Sequence, residues 1–318
     1  MAALGIRPDH SHSQRSTILG SLANSRYASS TQPLFEDAIN IEYIPDHLHE
    51  LHLLHLKGGK RVIWKRLASC SKPTLRLERN IIENEAILYT FARARQLPAP
   101  KIITFQQCSG RSCKPFLITD FAEGNSYAGL HSSLTGAEQA SIEQQVETFV
   151  NALKGHCSSR FGPVFDVARG QGYELWAEAF NMMFETLLMD GEDMLIGLPY
   201  TRLREQLRRC KPSLQQVNEA TLVLPSLLDS KNIILDPDNL TVSAVLDLGW
   251  MAVWGDADLM GSHSGVEPKS LLYACFQSTL VILQHHYRPL DRHTGSELDA
   301  WKRLNESLMA LMAMDCWG

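Results

Sequence analysis

Apolar and polar residues alternate along residues 39–43, and this two-residue period predicts a β-strand. Two further apolar runs, at 51–56 and Arg61–Leu67, flank the turn sequence Lys-Gly-Gly-Lys of residues 57–60. A Gly-Gly pair between two such runs is typical of a β-hairpin. This part of the chain is therefore predicted to form an antiparallel sheet.

Further along the chain, apolar residues recur at helical spacing. The pattern from 77 to 95 predicts an amphipathic helix that ends at the Leu-Pro-Ala-Pro sequence of residues 97–100. Two short strands are predicted next, at 101–106 and 115–120, and a strand pair is predicted later, at 232–239 and 243–247. The remaining periodic segments predict helices at 136–154, 172–190, 200–209, 269–286 and 296–313.

This order of elements predicts an α+β fold with two lobes. Residues 35–121 are expected to form a small lobe, an antiparallel sheet plus one helix, and residues 122–318 a larger, mainly helical lobe. A hinge is expected at 122–124. Residues 1–34 are rich in Ser, His and Arg, with a short helical possibility at 16–25, and are expected to form a mobile arm.

Composition narrows the possible classes of protein. The 318 residues are 44% hydrophobic and carry a formal net charge of -5, so a large core is available and no global charge attracts a nucleic acid. No apolar run reaches the roughly 18–20 residues of a membrane span, and the polar start lacks a secretory signal. We therefore expect a cytoplasmic protein without membrane contact. Its seven cysteines lack metal-site spacing and are expected to be reduced.

Four polar residues follow the order of groups that phosphoryl transfer requires. Such chemistry needs a cation on the phosphates, a carboxylate that holds this cation, and metal ligands. Lys65 lies in the second arm of the hairpin, and Glu85 lies on the helix that follows. Asn232 and Asp247 lie at the ends of the later strand pair, where Asp247 begins the sequence Asp-Leu-Gly-Trp.

With the stretches 85–100, 116–124 and 232–256, this order resembles the aminoglycoside phosphotransferase family, kinase-fold enzymes that phosphorylate small molecules. The resemblance implies a bilobal protein-kinase-like fold, a small-molecule substrate, and ATP and Mg²⁺ as cofactors. It implies that Lys65 contacts the nucleotide phosphates and that Glu85 pairs with Lys65. It further implies that Asn232 and Asp247 hold magnesium.

The chain departs from the family where the acceptor hydroxyl would lose its proton. The family has a His-x-Asp sequence a few residues before the metal-binding Asn, and its Asp accepts that proton. Counted back from Asn232, Pro225 stands in place of the His and Leu227 in place of the Asp. With a one-residue insertion, the pair becomes Leu224 and Ser226. Either alignment predicts that the catalytic carboxylate is missing.

Asp229 is a candidate substitute base, because it follows Leu227 by two residues. The alternative is that Asp229 only caps its loop, as Asp does in many turns.

The loop expected to cover the phosphates is a second departure. It reads Pro-Asp-His-Leu-His at 45–49 and contains no glycine, so backbone N–H groups are poorly able to approach an anion. This sequence counts against tight nucleotide binding.

Four histidines, His47, His49, His52 and His55, form the densest group of metal-ligand types. On a strand, His49 and His55 share one face and His52 lies on the other, so a metal site is not expected there.

Three functions remain open. The first is a phosphotransferase-family protein of small-molecule metabolism in which ordinary hydroxyl phosphorylation is weakened or lost. The second is an enzyme whose interlobe pocket catalyses a nucleotide-independent rearrangement, cyclisation or isomerisation. The third is a non-catalytic, pseudokinase-like binding protein. The sequence leaves the oligomeric state open.

Overall fold

The structure is a computed structural model that describes Leu34 and residues 36–46, 48–67, 74–107, 115–154, 157–225, 229–261, 267–288 and 296–314. Its contacts divide the chain into two compact units. The sheet unit comprises Met1–Ser69 and Pro100–Glu123, and the helical unit comprises Cys70–Ala99 and Gly124–Gly318. The helix predicted at 77–95 is thus grouped with the helical unit, although its chain position lies inside the predicted small lobe. The helical possibility at 16–25 lies outside the described residues.

The sheet unit contains one five-stranded antiparallel sheet with the strand order β1-β2-β3-β5-β4. Its strands are β1 (Ala38–Ile44), β2 (His49–Leu56), β3 (Arg61–Leu67), β4 (Ile102–Gln106) and β5 (Phe116–Asp120). Between β2 and β3, Gly58 and Gly59 have φ values of 82° and 80°, a conformation that favours glycine. The predicted hairpin and both later strands are confirmed.

Strand register separates the residues of this sheet into two faces. Leu54 pairs with Val62, and Trp64 pairs with Ile118. These four residues belong to one buried apolar cluster, on one face of the sheet. Lys65 pairs with Leu51 on β2 and with Leu117 on β5. Because successive side chains of a strand point to opposite faces, Lys65 lies on the face opposite Trp64.

The helical unit contains most of the helices and two small antiparallel sheets, ordered β11-β10-β6 and β7-β9-β12-β8. Its helices are α1 (Ile81–Ala94), α2 (Tyr127–Leu130), α3 (Gly136–Lys154), α4 (Val164–Ala168), α5 (Trp176–Asp193), α6 (Tyr200–Arg209), α7 (Lys211–Leu214), α8 (Pro268–Tyr287) and α9 (Ser296–Ala313). Its strands are β6 (Asn125–Ser126), β7 (Cys157–Ser158), β8 (Gly162–Pro163), β9 (Ala220–Val223), β10 (Ile233–Leu235), β11 (Val242–Val245) and β12 (Val253–Gly255). Short 3-10 helices cover Arg76–Glu78, His131–Ser133, Ser230–Asn232 and Ala257–Met260.

Aromatic side chains of α5 and α8 form the centre of the helical unit. Trp176, Phe180 and Phe184 follow one another at four-residue spacing and are fully buried. The ring of Phe180 lies 5.1 Å from that of Tyr273 and 5.3 Å from that of Phe276. This packing explains why α5 begins at Trp176, four residues after the predicted start, since the buried aromatic stripe begins there. No helix in the described ranges is both long and apolar enough to cross a membrane.

A buried ion pair attaches the segment before α1 to this helical core. Glu78 accepts two hydrogen bonds from Arg288, of 2.6 and 2.7 Å, and a third from the backbone N–H of Leu75. The side chain of Glu78 is 0% exposed and that of Arg288 is 11% exposed. Two residues earlier, Arg76 forms an ion pair with Asp190 of α5. These contacts fix the point from which α1 starts.

We expect Arg288→Met to lower the free energy of unfolding by about 3–5 kcal/mol, because it leaves the Glu78 carboxylate buried without its counter-charge. Chemical denaturation measures this loss. The matched control is Arg202→Met on the exposed face of α6, which should change stability by at most about 0.5 kcal/mol. Equal stability of Arg288→Met and the wild type would contradict the structural role of this pair.

Candidate functional site

The two predicted metal ligands lie side by side at the open end of the β10–β11 hairpin. Ile233 pairs with Val245 in that hairpin. One position further, the backbone N–H of Leu246 donates to the carbonyl of Asn232 at 2.8 Å. Asn232 therefore precedes β10 at the same end of the hairpin where Asp247 follows β11. Neighbouring strands bring these residues together across the intervening turn.

Asp247 has a left-handed backbone, with φ = 55°. This conformation is uncommon outside glycine, although Asp and Asn tolerate it better than other residues. Two hydrogen bonds hold it there. The N–H of Trp250 donates to the carbonyl of Asp247 at 3.3 Å, which closes a tight turn. The N–H of Asp247 donates to the Tyr89 hydroxyl of α1 at 3.2 Å.

The first turns of α1 pack directly on this turn. A Cβ atom on Gly249 would lie 2.2 Å from the carbonyl oxygen of Ile81 and 2.7 Å from the backbone nitrogen of Glu85, so only glycine fits. The amide of Asn84 donates to the Gly249 carbonyl at 3.2 Å. The Asn84 side-chain oxygen accepts from the N–H of Phe165 on α4 at 2.8 Å. Asn84 thereby connects α1, the turn from Asp247 to Trp250, and α4.

Tyr89 connects Glu85 to the backbone of Asp247. Both side chains on α1 are buried, with Glu85 2% and Tyr89 3% exposed. Burial raises the pKa of Tyr89 well above its ordinary value, and the nearby charges of Glu85 and Asp247 and a hydrogen bond to the Glu85 side chain raise it further. The hydroxyl therefore stays protonated, donates to Glu85, and accepts from Asp247. Tyr89 was not predicted as a site residue, although its position one helical turn after Glu85 places both side chains on the same face of α1.

Lys65 lies in the sheet unit, where it is buried with 6% exposure. The same sheet face carries two other buried polar residues, His49 and Thr119. The predicted pairing of Lys65 with Glu85 joins a residue of the sheet unit to a residue of the helical unit. It stays a prediction.

The loop before Asn232 is described in part. Leu224 and Pro225 are buried, whereas Ser226 and Leu227 lie outside the described residues. Asp229 is exposed and accepts a hydrogen bond from the N–H of Lys231 at 2.9 Å, which caps the 3-10 helix Ser230–Asn232. This contact is the one that the loop-capping alternative expects. A role for Asp229 as a substitute base stays a prediction.

Two other residue groups have structural contacts. The buried Asp256 accepts hydrogen bonds from the hydroxyl of Tyr273 at 2.8 Å and from the N–H of Asp258, and it pairs with Lys269. The three described histidines of the 47–55 group each lie against a different carboxylate, as the pairs His49–Asp46, His52–Glu50 and His55–Glu42. His47 lies outside the described residues.

The helical unit also contains a cavity of about 600 Å³ next to the loop before Asn232. Its walls are mainly apolar, with two carboxylates from α3. The lining includes Tyr127, Glu143, Val146, Glu147, Val150, Leu222, Leu224, Ser230, Ile233 and Met260. A cavity of this size and lining suits a small organic molecule.

The donor atoms at the hairpin end fit a magnesium ion that shares its coordination with phosphates. Among the described residues, no three His, Cys, Asp or Glu side chains are grouped to hold a metal by themselves. Asn232 and Asp247 supply one amide and one carboxylate. Mg²⁺ keeps several waters and is commonly held by one or two carboxylates plus substrate phosphates, so this pair suits it.

No known family profile matches this sequence, and no curated protein matches it. Solved structures do. A thermostable mutant of the aminoglycoside phosphotransferase APH(4)-Ia matches with 15% identity and a TM-score of 0.61, over 90% of this chain and 99% of the other. A putative fructosamine-3-kinase from Thermobifida fusca YX-ER1 matches with 13% identity and a TM-score of 0.59, over 92% and 99%.

These similarities extend over nearly the whole length of both chains. The chain therefore has the bilobal, kinase-like α+β fold of aminoglycoside phosphotransferases and related small-molecule kinases, as its sequence predicts. At these identities, the shared feature is the fold.

We expect Tyr89→Phe to lower the free energy of unfolding by about 1–3 kcal/mol, because it removes the buried hydroxyl that contacts Glu85 and the Asp247 amide. Amide hydrogen exchange provides a local measurement, and the Asp247 amide should exchange faster in the variant. The matched control is Tyr43→Phe, whose ring is 42% exposed on β1. Unchanged protection of the Asp247 amide in Tyr89→Phe would contradict the role of the Tyr89 hydroxyl in holding this turn.

Proposed function

We propose that this protein is a phosphotransferase-family, kinase-fold protein of small-molecule metabolism that binds a nucleotide with magnesium. We further propose that its ordinary hydroxyl phosphorylation is weakened or lost. One observation supports nucleotide use above all: Asn232 and Asp247 meet at the hairpin end, and α1 holds Asp247 in a left-handed conformation. A left-handed backbone is uncommon outside glycine, and such conformations cluster at functional sites, so its support by α1 favours a functional role for the Asp247 carboxylate.

In this proposal, Asn232 and Asp247 hold magnesium, and Lys65 contacts the phosphates. When bound, the metal neutralises negative charge on the phosphate oxygens during transfer. The chain's own part is to fix the two ligands. Tyr89 and Asn84 hold the Asp247–Gly249 turn against α1, so the backbone that carries the Asp247 carboxylate is fixed before a phosphate binds.

In this proposal, the lack of a carboxylate that accepts the proton of the acceptor hydroxyl limits the rate of phosphoryl transfer. In the sequence, Leu227 or Ser226 stands where a carboxylate would accept the proton of the acceptor hydroxyl. General base catalysis contributes about 10²–10⁴-fold, whereas positioning and charge stabilisation provide most of phosphoryl transfer. Slow transfer to a small molecule is therefore compatible with the remaining residues.

The ligands of similar structures support this assignment. One matching structure of the APH(4)-Ia mutant is a ternary complex with ADP and hygromycin B, with 15% identity and a TM-score of 0.58. We propose a comparable pair of ligands here, a nucleotide and a small hydroxyl compound. The cavity beside Leu224 and Ser230 is our candidate for the acceptor, because it lies next to the loop before Asn232.

A second candidate function is the nucleotide-independent conversion of a metabolite. The apolar walls of the cavity favour it, since Val146, Val150 and Leu222 can enclose a small organic molecule without a nucleotide. This alternative predicts turnover of a precursor without ATP.

Calorimetry with MgATP tests the first proposal. We expect binding to the wild type and a loss of at least about tenfold in affinity for Asp247→Asn, since each tenfold corresponds to about 1.4 kcal/mol and a charged metal ligand is removed. Asn keeps the tolerance for a left-handed backbone, so the variant changes charge more than shape.

The matched control is Asp238→Asn, an exposed acid in the turn at the far end of the same hairpin, which should bind as the wild type does. If neither the wild type nor the variants bind MgATP, the nucleotide proposal fails and the nucleotide-independent alternative gains weight.

A further inference from the structure

We propose that Asp46 is an internal counter-ion of Lys65 and competes with the phosphates of a nucleotide for this lysine. The pairing of the two residues is independent of function, whereas the competition rests on the proposed nucleotide binding. Asp46 lies between β1 and β2, in the segment that sequence analysis expects to cover the phosphates. It is thus a determinant of affinity that the resemblance does not assign.

The strand register brings the loop end and the lysine to one face of the sheet. His49, the first residue of β2, pairs with Leu67 of β3. Lys65 precedes Leu67 by two residues and therefore lies on the same face, diagonally from His49. Such diagonal neighbours remain within reach of long side chains. Both residues are buried, with His49 4% and Lys65 6% exposed.

His49 holds the Asp46 carboxylate at this face. One oxygen of Asp46 accepts the backbone N–H of His49 at 2.7 Å and lies 2.7 Å from the ring Nδ1 of His49. The side chain of Asp46 is 28% exposed and that of His49 5% exposed. Two contacts to one buried residue leave the carboxylate little freedom to turn into solvent.

The charges around Asp46 agree with this placement. Burial by itself raises the pKa of Asp46, but the hydrogen bonds and charge of His49 and the positive charge of Lys65 outweigh it and hold the pKa well below its ordinary value. Asp46 is therefore ionised at neutral pH and interacts favourably with the Lys65 ammonium.

This arrangement has a consequence for an incoming nucleotide. Phosphates need cations and N–H donors, and a fixed carboxylate on the same face repels them. A phosphate that reaches Lys65 must share its ammonium with the Asp46 carboxylate, which repels the phosphate and lowers its affinity. The segment at 45–49 thus weakens nucleotide binding both because it lacks glycine and because it carries a negative charge. Removing that charge is expected to strengthen binding.

The test uses Asp46→Asn in the full chain and follows Lys65 itself. Each lysine is labelled with trace acetic anhydride at pH 8, and its rate of acetylation is read by mass spectrometry. Loss of an adjacent opposite charge lowers the pKa of a lysine and increases the share of the reactive neutral amine, so Lys65 should react about tenfold faster. The matched control is Asp37→Asn, because Asp37 pairs with the exposed Lys57 and should leave Lys65 unchanged.

Two variants guard against a folding artefact. Asp46→Glu restores the charge and should return the Lys65 rate toward that of the wild type. His49→Leu removes the anchor but keeps both charges, and should give a smaller increase than Asp46→Asn. An unchanged Lys65 rate in Asp46→Asn, with Lys57 reacting as in the wild type, would overturn the proposal.

A second arm adds MgATP to the same labelling reaction. Protection of Lys65 at lower MgATP concentration in Asp46→Asn than in the wild type supports the competition. Equal protection in both proteins overturns the competition. Faster labelling in Asp46→Asn without protection in either protein supports the counter-ion and removes the nucleotide function on which the competition rests, so the two failures are distinguishable.

Discussion

The close approach of Gly249 to the first turn of α1 is the constraint on which the rest of the candidate site depends. Any side chain at this position would meet backbone atoms of Ile81 and Glu85. Because the turn lies against the helix backbone, Asn84 reaches the Gly249 carbonyl, and the Tyr89 hydroxyl reaches the Asp247 amide. Those bonds compensate for the left-handed backbone of Asp247. The Glu78–Arg288 pair in turn holds the segment before α1 to the helical core.

The proposed site has candidate metal ligands but lacks a predicted proton acceptor. In the proposed site, buried contacts hold the turn that begins at Asp247, and the pair Asn232 and Asp247 suits a magnesium ion bound with phosphates. The sequence predicts no carboxylate at the proposed proton-accepting position, and Asp229, the nearest acid along the chain, caps its own loop. In the sheet unit, Asp46 lies with His49 on the face of Lys65. We therefore attribute the proposed weak use of a nucleotide to the chain's polar groups, and not to its fold.

Much of this architecture could be predicted from sequence because it depends on local periodicity. The Gly-Gly hairpin, the long helices and the β10–β11 pair follow from patterns within about twenty residues. The fold class follows from their order. Asn232 and Asp247 were found together because a short hairpin brings its two ends to the same place. The two- to four-residue strands β6, β7, β8, β9 and β12 were missed, since they lack a turn sequence such as the Asp-Pro-Asp-Asn of residues 236–239, which marks the equally short β10 and β11.

Partners that are distant in sequence could not be predicted in the same way. Glu78 and Arg288 are separated by 210 positions, and the local sequence around either residue does not indicate that the two form an ion pair. From sequence, Tyr89 resembles any buried position of an amphipathic helix. The helical spacing of apolar residues predicts that its side chain is buried, but it does not identify the partner of its hydroxyl. Asp46 reads as a loop residue, and only the strand register shows that its partner His49 shares a face with Lys65.

The rate of ADP formation from MgATP, compared between the wild type and the variants Leu227→Asp and Ser226→Asp, tests the central claim most directly. If the missing carboxylate limits an otherwise retained site, one of these two variants should turn over MgATP about 10²–10⁴-fold faster than the wild type. A wild type that is already as fast as both variants, or variants as inactive as Asp247→Asn, would contradict it.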